Sequence, residues 1–171
     1  TTGVNYRAGM SQGLYELRQV TPPKQIAPGK LRLAVIDEIE LVTQWALDFQ
    51  AEALSPGDPV QTRQAMEERI NQQELYVWAD GHQPVSMVAK ARPISHGIAV
   101  NLVFTPPNFR RRGYASNAVA ALSQILLDEG WRFCTLHTDL SNPTSNHIYQ
   151  EIGYRRICDY NEYIFDPQND E

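Results

Sequence analysis

The sequence predicts an α+β fold, with a mixed central β-sheet flanked by helices, from three observations. The spacing of apolar residues changes along the chain from helical to alternating and back to helical. Asp80-Gly81 separates two alternating runs, which is a strong signal for an antiparallel hairpin. A helical run separates the predicted strands 97–105 and 133–138, and such a crossover joins parallel neighbours. Hairpins beside a parallel pair make the sheet mixed.

Composition limits the class of protein before any motif is considered. The chain has 171 residues, of which 42% are hydrophobic and 20% charged, as in ordinary globular domains. No apolar run approaches the ~18 residues that a membrane-spanning helix needs. A net charge of −5 argues against the broad basic face of a nucleic-acid-binding protein. We therefore expect neither nucleic acid nor a membrane as a partner, and we leave a homodimer open.

The two cysteines indicate the compartment. Cys134 and Cys158 both lie in apolar segments, and nothing around them resembles a secreted disulfide framework or a zinc site. Buried free thiols in the reducing cytoplasm are therefore the expected state. No pair of histidines has the spacing of metal ligands, so we expect no metal.

The start of the chain predicts a leader followed by one domain. Residues 1–13 are polar and contain glycine, which indicates a flexible leader or an expression remnant. A single domain is expected over 14–171. Its first elements are short strands at 14–18 and 31–34, separated by proline and glycine breaks.

Two helices are expected next. Asp37 is the expected cap of the first, and Glu40 three residues later completes a capping box. Asp58, followed by Pro59, starts a second and more polar helix that runs to about residue 72. The first helix buries one face, formed by residues at helical spacing: Val42, Trp45, Ala46, Phe49 and Ala53.

The middle of the chain predicts three strands, at 75–79, 84–92 and 97–105. In the third strand, alternation assigns side chains to two faces of the sheet. One face is expected to carry Ile98, Val100, Leu102 and Phe104. The other is expected to carry Ala99, Asn101, Val103 and Thr105.

The last third of the chain predicts two helices and three strands. In order, they are a helix from Ala115 that Gly130 stops, a strand at 133–138, a short helix from Asn142 to Gly153, and strands at 154–158 and 162–165. No internal repeat is present.

A first chemical motif lies between the third central strand and the following helix. Arg110-x-x-Gly113-x-Ala115 places small residues where the backbone turns into the helix and where a ligand can approach closely. The first helical turn offers unpaired N–H groups to an anion such as a pyrophosphate. Taken alone, an exposed basic turn explains the motif equally well.

A second motif is the helix opened by Asn142-Pro143, with Tyr149 two turns in. A tyrosine hydroxyl is a suitable proton donor to a departing thiolate, because the ordinary pKa values of the two groups are close. The alternative is an aromatic side chain that only packs against the sheet.

Together the two segments resemble the GNAT superfamily of acyl-CoA-dependent N-acetyltransferases, over a stretch from about Leu31 to Phe165. The first, Val103-Phe104-Thr105-Pro106-Pro107-Asn108-Phe109-Arg110-Arg111-Arg112-Gly113-Tyr114-Ala115, is similar to the family's Gln/Arg-x-x-Gly-x-Gly/Ala pyrophosphate loop and the strand before it. The second, ending in Ile148-Tyr149-Gln150-Glu151-Ile152-Gly153-Tyr154, is similar to the helix that flanks the thioester.

The resemblance implies a GNAT-like fold, acetyl-CoA as co-substrate, and direct transfer of the acetyl group to a primary amine of a small molecule or peptide. Backbone groups of Val103 and Thr105 would bond the pantetheine amides, and Tyr149 would protonate the CoA thiolate. Asn142 would touch the pantetheine, and Asn146 would lie near the CoA tail. The residues implied at the acetyl-CoA site are Val103, Phe104, Thr105, Arg110, Arg111, Arg112, Gly113, Tyr114, Ala115, Ser116, Asn142, Asn146 and Tyr149.

The general base stays open. Families of this type often use a glutamate on a central strand, whereas strand 97–105 carries no carboxylate. The candidates are His137, Asp139, Glu52 and Glu162.

Two other classes of function compete with an acetyltransferase. One is a catalytically silent acyl-CoA-binding regulatory module, and the other is a nucleotide or phosphate binder that shares only the Arg/Gly turn. The presence of Tyr149 favours an enzyme over the silent module. The acidic net charge favours a cationic acceptor such as an amino sugar, polyamine or lysine side chain.

Overall fold

Strands and helices alternate along the chain largely as the apolar spacing predicts. The computed structural model describes residues 6–53 and 55–165. The strands are β1 (Tyr6–Leu17), β2 (Lys30–Leu33), β3 (Leu75–Asp80), β4 (Gln83–Ala91), β5 (Gly97–Phe104), β6 (Phe133–Asp139) and β7 (Arg155–Phe165). The helices are α1 (Ile39–Glu52), α2 (Pro59–Asn71), α3 (Tyr114–Asp128) and α4 (Pro143–Glu151).

The strands form one mixed sheet in the order β2-β3-β4-β5-β6-β1-β7. β5 and β6 are parallel neighbours, joined by the α3 crossover, and the other neighbouring pairs are antiparallel. β3 and β4 form the hairpin predicted at Asp80-Gly81. These findings confirm the predicted α+β class with a mixed sheet.

The predicted leader is wrong for residues 6–13, which belong to β1. This strand lies inside the sheet and pairs with β6 from Leu17↔Cys134 to Gln12↔Asp139. On its other side it pairs with β7, as far as Tyr6↔Phe165. Backbone pairing with β7, joined by β6 from Gln12 onward, therefore stabilises a segment whose side chains give no strand pattern. The remainder of the predicted leader, residues 1–5, lies outside the described residues.

Two further boundaries differ from prediction. Residues 155–165 form one strand, β7, because β1 offers a continuous partner across the expected break at 159–161. The chain enters α1 through a short 3-10 helix, Ile36–Glu38, so Asp37 does not cap α1. Glu38 closes this turn instead, accepting a hydrogen bond from the Val35 N–H at 3.0 Å. The cap predicted for the second helix is confirmed, since Asp58 accepts from the Gln61 N–H at 2.8 Å.

A β-bulge in β5 changes which side chains share a face. Ala89 of β4 pairs with Asn101 and Met87 pairs with Phe104, so β5 has one residue more than β4 in this stretch. Leu102 takes a left-handed φ of 52° at the bulge. As a result, Leu102 and Phe104 pack on the α1/α2 side of the sheet, whereas Val100 packs on the α3 side. The strict alternation predicted for this strand is therefore wrong after Asn101.

Two apolar cores result, one on each face of the sheet. On one face, α3 packs through fully buried residues at helical spacing, Ala118, Val119, Leu122 and Leu126. On the other face, α1 and α2 cover β3, β4 and the end of β5. The centre of the sheet, where β5 ends, is thus packed on both faces.

The cysteines are both free, but they differ in exposure. Cys134 is buried on β6, as predicted, whereas Cys158 is exposed because it lies on the outermost strand, β7. Within residues 6–53 and 55–165, no helix is long and apolar enough to cross a membrane. The same residues contain no group of three or more His, Cys, Asp or Glu side chains placed to hold a metal ion.

Candidate active site

The sheet opens between its two parallel strands. β5 and β6 pair only at their beginnings, from Gly97↔Phe133 to Ala99↔Thr135. Beyond that point β6 follows β1, while β5 stays with β4 as far as Phe104. The last residues of β5 therefore have a strand partner on one side only, and a wedge-shaped opening lies on the other.

A tight turn connects the end of β5 to α3. Gly113 stands immediately before the helix with φ +80°, in the left-handed region that glycine adopts without strain. Arg111 is also left-handed, with φ 63°. Consequently the first N–H groups of α3 and the positive end of its dipole lie at the end of the opening. An anion is the kind of ligand that this geometry favours.

Arg110 joins the end of β5 to the end of α1. Its Nε donates to the Thr105 carbonyl at 2.8 Å, and its Nη2 donates to Glu52 Oε1 at 2.5 Å. The guanidinium carbon lies 5.6 Å from the centre of the Phe104 ring. The side chain is thus directed towards α1, and in this arrangement its charge is paired with Glu52.

The opposite wall is α4. Asn142 caps this helix by accepting from the Ser145 N–H at 3.1 Å, with Pro143 at its first position, as the sequence predicts. Tyr149 packs against the α3-side core and meets the ring of Tyr154 edge to face, at 6.3 Å between centroids. Burial raises the pKa of Tyr149 to about 12. The hydroxyl therefore keeps its proton at neutral pH.

These elements enclose a cleft of ≈ 530 Å³. Its walls are the end of β5, the turn into α3, and α4, with contributions from Gln25 and Glu52. The lining residues are Gln25, Glu52, Val103, Phe104, Thr105, Phe109, Arg110, Arg111, Gly113, Tyr114, Ala115, Ser116, Asn142, Thr144, Ser145, Ile148, Tyr149 and Glu151.

Most of the residues implied by the resemblance lie together in this cleft, and two do not line it. Arg112 is exposed and lies outside the lining. Asn146 donates from Nδ2 to the Asp139 carbonyl at 3.2 Å and accepts from the Tyr15 hydroxyl at 3.5 Å. Asn146 therefore connects α4 to β1 and β6 rather than facing the cleft.

Of the three candidate bases whose side chains the structure describes, Glu52 is the one that lines the cleft. His137 is exposed on β6 and meets the Tyr160 ring edge to face at 5.4 Å. Partial desolvation on the sheet and the charge of Arg92 lower the pKa of His137. Asp139 accepts hydrogen bonds from the N–H and the hydroxyl of Ser141 at 2.8 and 2.7 Å. The side chain of Glu162 lies outside the described part of the structure.

Sequence reasoning missed several lining residues. Phe109 and Ile148 lie inside the two motifs, so a full mapping of each motif would have found them. Glu151 also lies inside the second motif. Gln25 was missed for a different reason: it reaches the cleft because the β1–β2 connection folds back over α3, and no local signal in the sequence reports that path.

Comparison with known proteins shows that others share this fold. Residues 82–164 match the family model described as FR47-like protein. Among solved structures, the chain is similar to an acetyltransferase from the GNAT family of Colwellia psychrerythraea, with a TM-score of 0.72 and 11% identity. The match covers 94% of this chain and 56% of that one. No match is found among curated proteins.

Two more structures share the fold. A GCN5-related N-acetyltransferase from Kribbella flavida has a TM-score of 0.66 and 20% identity, over 96% of this chain and 61% of that one. An N-acetyltransferase from Staphylococcus aureus Mu50 has a TM-score of 0.62 and 16% identity, over 73% of this chain and 82% of that one. The chain thus spans little more than half of the Colwellia protein. The chain thus has the fold of these GNAT acetyltransferases, and it is similar to the FR47-like family over residues 82–164, just under half of its length.

Proposed function

We propose that the protein transfers the acetyl group of acetyl-CoA to a primary amine of a small molecule or peptide, by direct attack within a ternary complex. The observation that carries this proposal is the cleft where β5 leaves β6, which ends at the Gly113 turn and the start of α3. A strand edge suits the two amides of a pantetheine arm, and the start of α3 suits a pyrophosphate. Acetyl-CoA carries both groups next to each other, since its pantetheine arm is joined directly to its pyrophosphate.

The chain's own residues account for binding and for the leaving group. The amine nitrogen bonds to the thioester carbonyl carbon, the carbon–sulfur bond breaks, and the departing sulfur takes up a proton. Tyr149 lines the same cleft and holds its proton firmly, because its pKa is raised to about 12. An ordinary thiol has a pKa near ~8.5, so full transfer from Tyr149 is uphill until negative charge has developed on the sulfur. Tyr149 therefore acts first as a hydrogen-bond donor to that sulfur.

The proton that the attacking amine loses passes to solvent water in this proposal. Glu52 lines the cleft, but its carboxylate is already held by Arg110 at 2.5 Å. This feature favours a second candidate function, a silent acyl-CoA-binding regulatory module. In that case the same cleft binds acetyl-CoA without turnover.

A calorimetric titration with acetyl-CoA tests the proposal, followed by an amine panel with detection of released thiol. Binding near 1 μM, which corresponds to about −8 kcal/mol, together with thiol release by one class of amine supports the enzyme. Binding without thiol release supports the silent module. Failure to bind acetyl-CoA overturns both.

We further propose a cytoplasmic protein, since Cys134 and Cys158 are unpaired thiols that a reducing compartment preserves. The net charge of −5 favours a cationic acceptor amine and disfavours nucleic acid or an anionic membrane surface as a partner. The outer edge of β7 leaves a strand available for a homodimer.

A further inference from the structure

The connection between β1 and β2, residues 18–29, crosses the mouth of the cleft. It is anchored at both ends: the Thr21 N–H donates to the Ile152 carbonyl at 2.9 Å, and Trp78 Nε1 donates to the Pro28 carbonyl at 2.8 Å. Between these points it runs from the end of α4 to the start of α3. It is therefore a fixed part of the fold rather than a loose loop.

Gln25 is held against the turn that precedes α3. Asn117, which is 7% exposed, donates from its Nδ2 to the Gln25 carbonyl and to the Gly113 carbonyl, each at 2.8 Å. The Gln25 side chain lies so close to Gly113 that a Cβ added there would be 3.3 Å from Gln25 Cγ and Cδ. One buried amide thus ties the connection to the anion-binding turn, and Gln25 lines the cleft beside it.

Lys24 pairs with a carboxylate on the facing wall. Its Nζ lies 2.7 Å from Glu151 Oε1, in the last turn of α4, and the Lys24 side chain is 80% exposed. Glu151 lines the cleft. Lys24 is not among the lining residues, but the ion pair with Glu151 holds its ammonium beside the cleft. The Lys24 ammonium also lowers the pKa of Glu151.

A carboxylate in a cleft that binds phosphates is unfavourable unless a cation offsets it, because like charges in a confined site repel. Glu52 has Arg110 as its partner, and Glu151 has Lys24. Each of the two cleft carboxylates therefore has a cationic partner. The partner of Glu52 belongs to the basic motif before α3, and the partner of Glu151 belongs to the β1–β2 connection. A flexible, exposed ammonium can serve Glu151 and a phosphate together.

We propose that residues 18–29 form a third wall of the acyl-CoA site, in which the Gln25 amide and the Lys24 ammonium contact phosphate groups of the bound CoA. This inference rests on the proposed function, since it needs acetyl-CoA in the cleft. It adds two contact residues that lie before β2, outside both sequence motifs and outside the segment 82–164.

Calorimetry on four variants of the full chain tests the wall. Lys24→Gln and Gln25→Ala should each weaken acetyl-CoA binding, about threefold to tenfold, as expected for one partly exposed charge-assisted or polar contact. Glu151→Gln should tighten binding, because it removes the repelling carboxylate and frees Lys24. Lys30→Gln is the matched control: it removes the same charge from an exposed lysine at the start of β2, outside the cleft, and should leave the affinity unchanged.

Dephospho-CoA distinguishes the two sources of phosphate. If Lys24→Gln also weakens the binding of dephospho-CoA, Lys24 contacts the pyrophosphate. If the substitution leaves the affinity for dephospho-CoA unchanged, Lys24 contacts the 3′-phosphate. Either result supports the wall. Equal affinities for Lys24→Gln, Gln25→Ala and Lys30→Gln would overturn it while leaving the proposed function intact. Failure of the unmodified protein to bind acetyl-CoA would instead overturn the proposed function itself.

Discussion

Tyr149 combines a packing role in the core with a proposed chemical role in the cleft. Its ring packs on the core formed with α3, which agrees with a purely structural aromatic side chain. Its edge also lines the cleft, which agrees with a proton donor. Burial raises its pKa to about 12, so the group stays protonated throughout the neutral range. Packing and chemistry are therefore compatible at this residue.

Replacing Tyr149 with phenylalanine separates the two roles. We expect turnover to fall by about a hundredfold to ten-thousandfold, the range typical of general acids, while acetyl-CoA affinity changes little. The apolar ring remains in place, so the core stays packed. Single-turnover thiol release at saturating amine, with calorimetry for affinity, measures the two effects separately. Unchanged turnover would remove Tyr149 from the mechanism.

Tyr154 provides the matched control for this substitution. Its hydroxyl is 2.8 Å from that of Ser123 in the buried core, and it does not line the cleft. Tyr154→Phe should lower the free energy of unfolding by about 1 kcal/mol, through the lost hydrogen bond, with turnover unchanged. A parallel loss of turnover in both variants would mean that Tyr149→Phe acts only through stability.

At the scale of elements, the cap of α4 links helix stability to ligand binding. Asn142 closes the first turn of α4, and this helix forms one complete wall of the cleft. Asp58 closes the first turn of α2 in the same way, but it lies outside the cleft lining. The two caps therefore allow a comparison in which the local chemistry is alike and the position differs.

Asn142→Ala and Asp58→Ala should each reduce the free energy of unfolding by about 1 kcal/mol, the usual cost of a lost N-cap. Only Asn142→Ala should also weaken acetyl-CoA binding, because the start of α4 lines the site. Urea unfolding and calorimetry on both variants check the two parts. Equal affinities in the two variants would show that the start of α4 makes no contact with the ligand.

The elements also show what sequence patterns can and cannot predict. The turn into α3 was predictable, because Gly113 and the apolar face of α3 are local signals that tertiary contacts reinforce. The bulge at Leu102 was not, since a left-handed leucine arises from the register of β5 against β4 rather than from its neighbours in sequence. β1 was missed over 6–13 for a related reason: its partners are residues 134–139 and 155–165, more than a hundred positions away.

At the scale of the whole molecule, stability should depend on pH through His137. Partial desolvation and the charge of Arg92 lower the pKa of this exposed histidine in the folded protein, so the unfolded chain binds the proton more readily. As the pH falls through the unfolded value near ~6.5, the free energy of unfolding should therefore decrease. The lowered pKa values of Glu38 and Glu151 predict a further loss at more acidic pH, as these carboxylates become protonated.

Urea unfolding of the unmodified protein and of His137→Gln, at pH 8 and pH 5.5, tests the first part of this dependence. The variant should lose less stability than the parent between the two values, because glutamine does not titrate. If both proteins lose the same amount, His137 contributes nothing to the acid sensitivity. At pH 8 the histidine is neutral in the folded and in the unfolded protein. The difference in free energy of unfolding between parent and variant at this pH therefore measures the change in packing alone.

β1 lies between β6 and β7, so the sheet depends on this strand for its continuity. Tyr15 and Leu17 are 1% and 0% exposed, so β1 supplies core side chains as well as backbone pairing. Deleting 1–17 would leave β6 and β7 each without a neighbour on the side where β1 now lies. We therefore expect the deleted chain to lack the cooperative unfolding transition of the parent.

A circular permutant tests whether the fold needs β1 at this end of the chain or only in this place in the sheet. Tyr6 pairs with Phe165, so a bond from Glu171 to Thr1 would turn residues 166–171 and 1–5 into a loop between β7 and β1. A permutant that begins at Arg18 keeps every strand pair. It should unfold cooperatively within about 2 kcal/mol of the parent, the scale of a changed loop closure. Urea unfolding compares the parent, the permutant and the deletion variant. If the deletion variant is as stable as the parent, β1 is dispensable. If the permutant is unfolded, the cut between residues 17 and 18 itself disrupts the fold.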